Sequence, residues 1–140
     1  MADKIFTVEE ANALLPFLET NLRKLQFLQK IAQETFEEME AIKAVGYGPG
    51  HKLILAADFN ETKAEFDRTV AEANEILGKI NSTGCHLKNI EQGLVDFPAE
   101  LDGQDVLLCW QVGEPEVMYF HDHYAGFQGR RPLPIREAKE

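Results

Sequence analysis

Residues 7–82 carry apolar side chains three and four positions apart almost throughout, and one short stretch, Gly46-Tyr47-Gly48-Pro49-Gly50, interrupts them. A three-four repeat places side chains on one face of an α-helix, whereas three glycines and a proline in five residues cannot continue one. The pattern predicts a long antiparallel helical hairpin. Thr7 and Glu10 form a capping box at its start, the hydroxyl accepting from a free helical N–H while the carboxylate reaches back. The first stripe comprises Leu15, Leu18, Leu22, Leu25, Ala32, Phe36 and Met39, interrupted by Gln29 and widened by Leu14, Leu28, Ile31 and Ile42, and the second Phe59, Phe66, Val70, Ala73, Leu77 and Ile80. Pro16 lacks a backbone donor, so a kink or restart is expected at Leu15. The run from Lys52 to Asn60 reads as helix or strand, and Gly84 supplies the stop.

At 1.5 Å per residue these helices would be roughly 55 and 45 Å long, more than a compact domain of this size needs. Two such stripes exceed what one hairpin can bury. The expectation is a homodimer that completes a four-helix bundle.

Beyond Gly84 the period changes to two and the residues become β-branched and aromatic, which predicts strands. Asp102-Gly103 is a two-residue hairpin signal, and Gly113 to Glu116 reads as a second turn. Tight turns at both places give a three-stranded antiparallel meander over 85–124, with Val95, Trp110 and Tyr119 in one row and Phe97, Leu108 and His121 in another. Asp96, Cys109 and Phe120 then share the opposite face. Residues 125–140 form a turn-rich tail. The fold class expected is α+β, in a single domain over the 140 residues.

Charge limits the partners. The formal net charge is −10, with nine Lys/Arg against fourteen Asp/Glu in residues 1–82 and five against ten in the rest, so both parts carry −5. No extended basic face can be assembled, and nucleic acid and anionic membrane are poor partners. Cys85 and Cys109 are the only cysteines, and the first ten residues have no apolar core of the signal-peptide kind, so a cytoplasmic chain with reduced thiols is expected. Ser82, the sole serine, lies outside any Gly-x-Ser-x-Gly elbow, which removes serine hydrolase chemistry.

Four features could carry chemistry. His121 and His123, two apart on a strand, face the same way and could share a divalent metal ion, provided a third ligand arrives from elsewhere. Cys109, on the face away from His121 in this register, reads as a core thiol. Asp96 stands inside an apolar strand and needs a partner, because burying a lone carboxylate costs several kcal/mol. Arg130 or Arg131 is the expected one, pinning the tail to the sheet; in the functional reading the same arginine binds an anion beside Asp96. The acidic run Glu34 to Glu40 lacks the histidine spacing of a di-iron bundle and reads as a solvated face, and Gly46 to Lys52 fails the spacing of a phosphate loop.

The stretches FTVEEANALLPFL, GLVDFP, LLCWQVGEPEV, YFHD and GFQGRRPL, in that order, resemble the bacterial family of domain of unknown function 2203. The resemblance implies a small cytosolic protein with a helical N-terminal part and a β C-terminal part, and no established activity. Its motif positions here are Asp96, Trp110, Glu114, His121, Gly126, Phe127, Gly129 and Arg130; His123 falls outside them, and Phe120 replaces a frequent Trp. Two functions follow as expectations. One is a non-catalytic dimeric interaction or scaffold module with an unidentified protein partner and a small polar site at the sheet, the ligand candidates being Asp96, Trp110, Glu114 and Arg130. The other is a divalent-metal or anion-binding, hydrolase-like site around Asp96, His121 and Arg130, with His121 and His123 as metal ligands.

Overall fold

The computed structural model describes residues 4–134; the last part of the expected tail, 135–140, lies outside the described residues. Two α-helices are followed by a five-stranded antiparallel sheet: α1 is Val8–Val45, α2 is Ala56–Asn81, and the strands are β1 His86–Asn89, β2 Leu94–Leu101, β3 Gln104–Gln111, β4 Tyr119–His121 and β5 Arg131–Pro132. No helix among the described residues is long and apolar enough to cross a membrane. The described residues divide into two compact units, one formed by residues 4–22 together with 79–134, the other by residues 23–78.

The 23–78 unit is the helical hairpin. Its turn begins at Gly46, whose φ of +102° suits a residue without a side chain, and is closed by an antiparallel bridge between Tyr47 and Leu53. Helix α2 starts only at Ala56, which resolves the ambiguous run. Lys24 pairs with Glu72 at 3.0 Å and the rings of Phe36 and Phe66 lie 6.4 Å apart, so the helices run in opposite directions. The buried stripe keeps the expected Leu25, Leu28, Met39 and Ile42 of α1 and departs from expectation elsewhere. Thr35, Met39 and Ile42 are buried on α1 and Thr62, Thr69 and Ile76 on α2, while Phe36 is 47% exposed and Val70 and Leu77 are half-buried. Thr35 and Thr69 enter because their hydroxyls are used up locally. Thr35 Oγ1 donates to the Ile31 carbonyl at 3.0 Å and Thr69 Oγ1 to that of Glu65 at 2.9 Å, leaving the methyl groups for packing.

In the other unit the capping box forms as expected: Thr7 N donates to Glu10 Oε1 at 2.9 Å and Glu10 N to Thr7 Oγ1 at 3.0 Å. Pro16 does not restart the helix, for α1 passes through it unbroken. An interior proline costs about 3 kcal/mol, and burial of Ala11, Leu15, Leu18 and Leu22 around it, at about 1.5–3 kcal/mol per fully buried large side chain, outweighs that.

The sheet has five strands where three were expected. The two additions are edge strands of four and two residues, one largely polar and one containing Pro132, and neither has the length or alternation that marks a strand in sequence. The β2–β3 pairing follows the expected register, with Val95 opposite Trp110, Asp96 opposite Cys109 and Phe97 opposite Leu108. Its turn is the predicted one: Asp102 (φ 53°) and Gly103 (φ 80°) both take the positive dihedrals of a two-residue hairpin.

The β3–β4 register differs from the expected one by a single residue. Tyr119 faces Cys109, Phe120 faces Leu108, and His121 faces Leu107. The connection is a structured loop, not a tight turn. The Glu114 carbonyl accepts from Trp110 Nε1 (2.9 Å), its carboxylate accepts from Gln111 N (2.8 Å), and Val117 N donates to Asn12 Oδ1 at 2.7 Å. A slip of one residue turns every side chain of β4 over, so His121 and Tyr119 join the face of Asp96 and Cys109, and Phe120 moves to the other. At its centre that second face is built from the apolar Val95, Phe97, Ala99, Val106, Leu108 and Trp110, each at most 5% exposed, with Phe97 edge-on to Phe6 at 5.3 Å.

Candidate functional site

The polar face gathers three donors from three adjacent strands. Asp96 (β2), Cys109 (β3) and His121 (β4) are 4%, 1% and 3% exposed, and one ligand atom from each lies within 4.8 Å of the others. His121 Nδ1 is 2.7 Å from the Asp122 carbonyl oxygen. A carbonyl only accepts, so that nitrogen carries the hydrogen. Nε2 then faces Asp96 Oδ1 at 3.2 Å, and since an ionised carboxylate also only accepts, the contact requires either one shared proton or a cation between the two. Asp96 therefore pairs with His121, not with Arg130 or Arg131 as expected. Arg130 is directed to Glu114, and Arg131 lies over the Phe120 ring at 4.8 Å.

Arg130 supports the cluster from the side. Its guanidinium makes two bonds to Glu114, Nη1 to Oε1 at 3.2 Å and Nη2 to Oε2 at 2.6 Å, and is stacked on Tyr119 (3.9 Å) and Phe127 (4.5 Å). Nη1 also approaches Cys109 Sγ at 3.9 Å. Such a planar, doubly bonded arginine fixes the 126–130 turn over the sheet. Tight chain passage is needed there: a side chain at Gly129 would come within 2.6 Å of Ala125 Cβ. Asp122 anchors the start of the turn, accepting from the backbone N–H groups of Tyr124 (2.9 Å) and Ala125 (2.8 Å), bonds that hold its carboxyl below the ordinary range.

Under this turn lies a cleft of about 250 Å³ floored by Asp96, Cys109 and His121 and walled by Leu94, Leu107 and Phe127, with Lys88, Asn89 and His123 also lining it. His121 and His123 thus border one cleft, but only His121 belongs to the donor cluster. Glu114 and Arg130 are engaged with each other, and Trp110 is on the apolar face, fully buried. Cys109 became part of a three-donor cluster when the β4 register brought His121 to its face. Its pairing with Asp96 was visible in the sequence; the arrival of His121 was not.

Two chemistries compete for these residues. A nucleophilic cysteine needs a thiolate and a free base. Burial, reinforced by the negative Asp96, pushes the Cys109 thiol up to about 11, and both imidazole nitrogens of His121 are occupied. A metal centre needs the opposite: sulfur, nitrogen and oxygen donors converging in a sheltered place. Tetrahedral zinc with bonds of about 2.0–2.3 Å requires donor separations of about 3.3–3.8 Å, so a set already within 4.8 Å closes with small side-chain movements. A thiolate favours zinc, iron or cobalt over magnesium and calcium.

No curated protein and no solved structure matches the chain. The profile of the family described as "Uncharacterized conserved protein (DUF2203)" matches residues 4–133, a span that takes in both helices and all five strands, and the chain belongs to that family.

Proposed function

We propose that this chain binds one divalent transition-metal ion at Asp96, Cys109 and His121, with a fourth position open to the cleft. The supporting observation is the convergence of the three donors, each nearly inaccessible, on the floor of one opening. Three protein ligands plus an exchangeable site is the arrangement of catalytic zinc centres, in which the ion acidifies a bound water or polarises a substrate oxygen. Arg130 and Glu114 are positioning residues that hold the covering turn and steady the sulfur. The thiolate ligand fits a reducing, cytoplasmic setting. Elemental analysis of untagged protein should give close to one equivalent of metal, and cobalt(II) loading should produce a thiolate charge-transfer band that Cys109→Ser abolishes. Metal-free protein that shows no band and no thermal shift with zinc, cobalt or manganese overturns the proposal.

A second reading, a homodimeric interaction module, draws on the helical hairpin, where Phe27 (61%), Val45 (51%), Tyr47 (63%) and Ile54 (57%) are exposed, as is Phe36 (47%). Sedimentation equilibrium decides it. A dimer dissociated by Phe27→Glu supports it; a monomer at all concentrations sinks it.

A further inference from the structure

The cleft above the donor cluster has a charge and a shape that select its occupant. A divalent ion with the Asp96 carboxylate and the Cys109 thiolate is neutral, and the neighbouring Glu114–Arg130 pair is neutral as well. Of the other side chains lining the opening, Lys88 brings a positive charge. With the ion in place, the charges lining the cleft sum to positive in a chain whose net charge is −10, which favours an anion there. The cleft volume of about 250 Å³ lies below the roughly 300–1,000 Å³ usual for ligand pockets, so the occupant is small. Phosphate is poorly served, because Arg130, the guanidinium nearest the cluster, already spends both of its outer nitrogens on Glu114. Leu94, Leu107 and Phe127 instead offer apolar walls.

Building on the metal reading, we propose that the cleft takes a short organic acid, its carboxylate completing the metal's coordination near Lys88 and its apolar body lying against Leu94, Leu107 and Phe127. The full chain loaded with cobalt(II) tests this, since the thiolate band reports the metal and the visible d–d bands report its fourth ligand. Titration with butyrate should shift the d–d bands at concentrations several-fold below those needed for acetate, and inorganic phosphate should be weaker than either. Lys88→Met should raise the half-saturating butyrate roughly tenfold, and Lys88→Arg should restore most of it. Cobalt protein with an intact thiolate band and d–d bands indifferent to butyrate up to about 0.1 M, a hundredfold above a millimolar site, overturns this inference and leaves the metal site standing. Phosphate binding tighter than butyrate overturns the carboxylate assignment. Absence of the thiolate band removes the metal reading itself.

Discussion

Buried polar side chains occur in both units, and they are accommodated in opposite ways. In the helical hairpin Thr35 and Thr69 each return their hydroxyl proton to a carbonyl of their own helix, three or four residues back. In the sheet unit Asp96 and His121 are 25 residues apart and satisfy one another across an intervening strand. Local satisfaction needs only the helix, so it says nothing about function. Satisfaction between distant strands exists only once the sheet has formed, and it places a carboxylate, an imidazole and a thiol together where an apolar strand set would have been simpler.

The largest effect belongs to the sheet. His121→Leu leaves the Asp96 carboxylate buried without its partner and should cost about 3–5 kcal/mol in urea unfolding, whereas the double variant Asp96→Leu/His121→Leu should regain most of this while binding no metal. Equal losses in the single and double variants would break the comparison. Next is Arg130→Met, which strips the charge-assisted bonds from Glu114 and should cost about 1.5–3 kcal/mol; Arg130→Lys should recover little, for an ammonium cannot make the paired contact or stack on Tyr119 and Phe127.

The pH dependence is smaller and has a definite sign. The Cys109 thiol is raised from 9.0 in the unfolded chain to about 11 by burial and by Asp96. A raised thiol contributes stability that is complete below pH 9 and is lost as pH climbs toward 11, so the Tm of metal-free protein should fall across that window. Cys85 is raised as well, by burial, and therefore Cys109→Ala should reduce the fall without removing it. In the proposed metal site the ligand would be the thiolate, so binding would reverse the preference, and apparent metal affinity should increase with pH. The smallest effect is in the hairpin: Thr69→Val exchanges a self-satisfied hydroxyl for a methyl and should change stability by less than about 1 kcal/mol in either direction, by thermal unfolding.

The site was half legible in advance. Asp96 stands out as a charge inside an apolar strand, and its pairing with Cys109 follows from the Asp102-Gly103 turn, because a two-residue loop fixes the register on both sides. The loop from Val112 to Met118 carried no such rule. Glu114 lends its carbonyl to Trp110 and its carboxylate to Gln111 and Arg130, and these contacts, made by residues up to sixteen positions apart, set how much chain the loop consumes. Hence the expected partner of Asp96 was an arginine of the tail and the observed one is His121.

What the sequence determined by itself was whatever depends on short-range periodicity and local sterics: two helices joined at a glycine-rich turn, a capped start at Thr7, a β region after Gly84 and one hairpin with its register. The tertiary structure alone decided which threonines line the helical seam, the two edge strands, and the face to which His121 points. The reason is the same in each case. A strand alternates sides with every residue, so one residue of loop length, fixed by contacts from elsewhere in the unit, determines whether an imidazole joins a carboxylate and a thiol or turns to the opposite face.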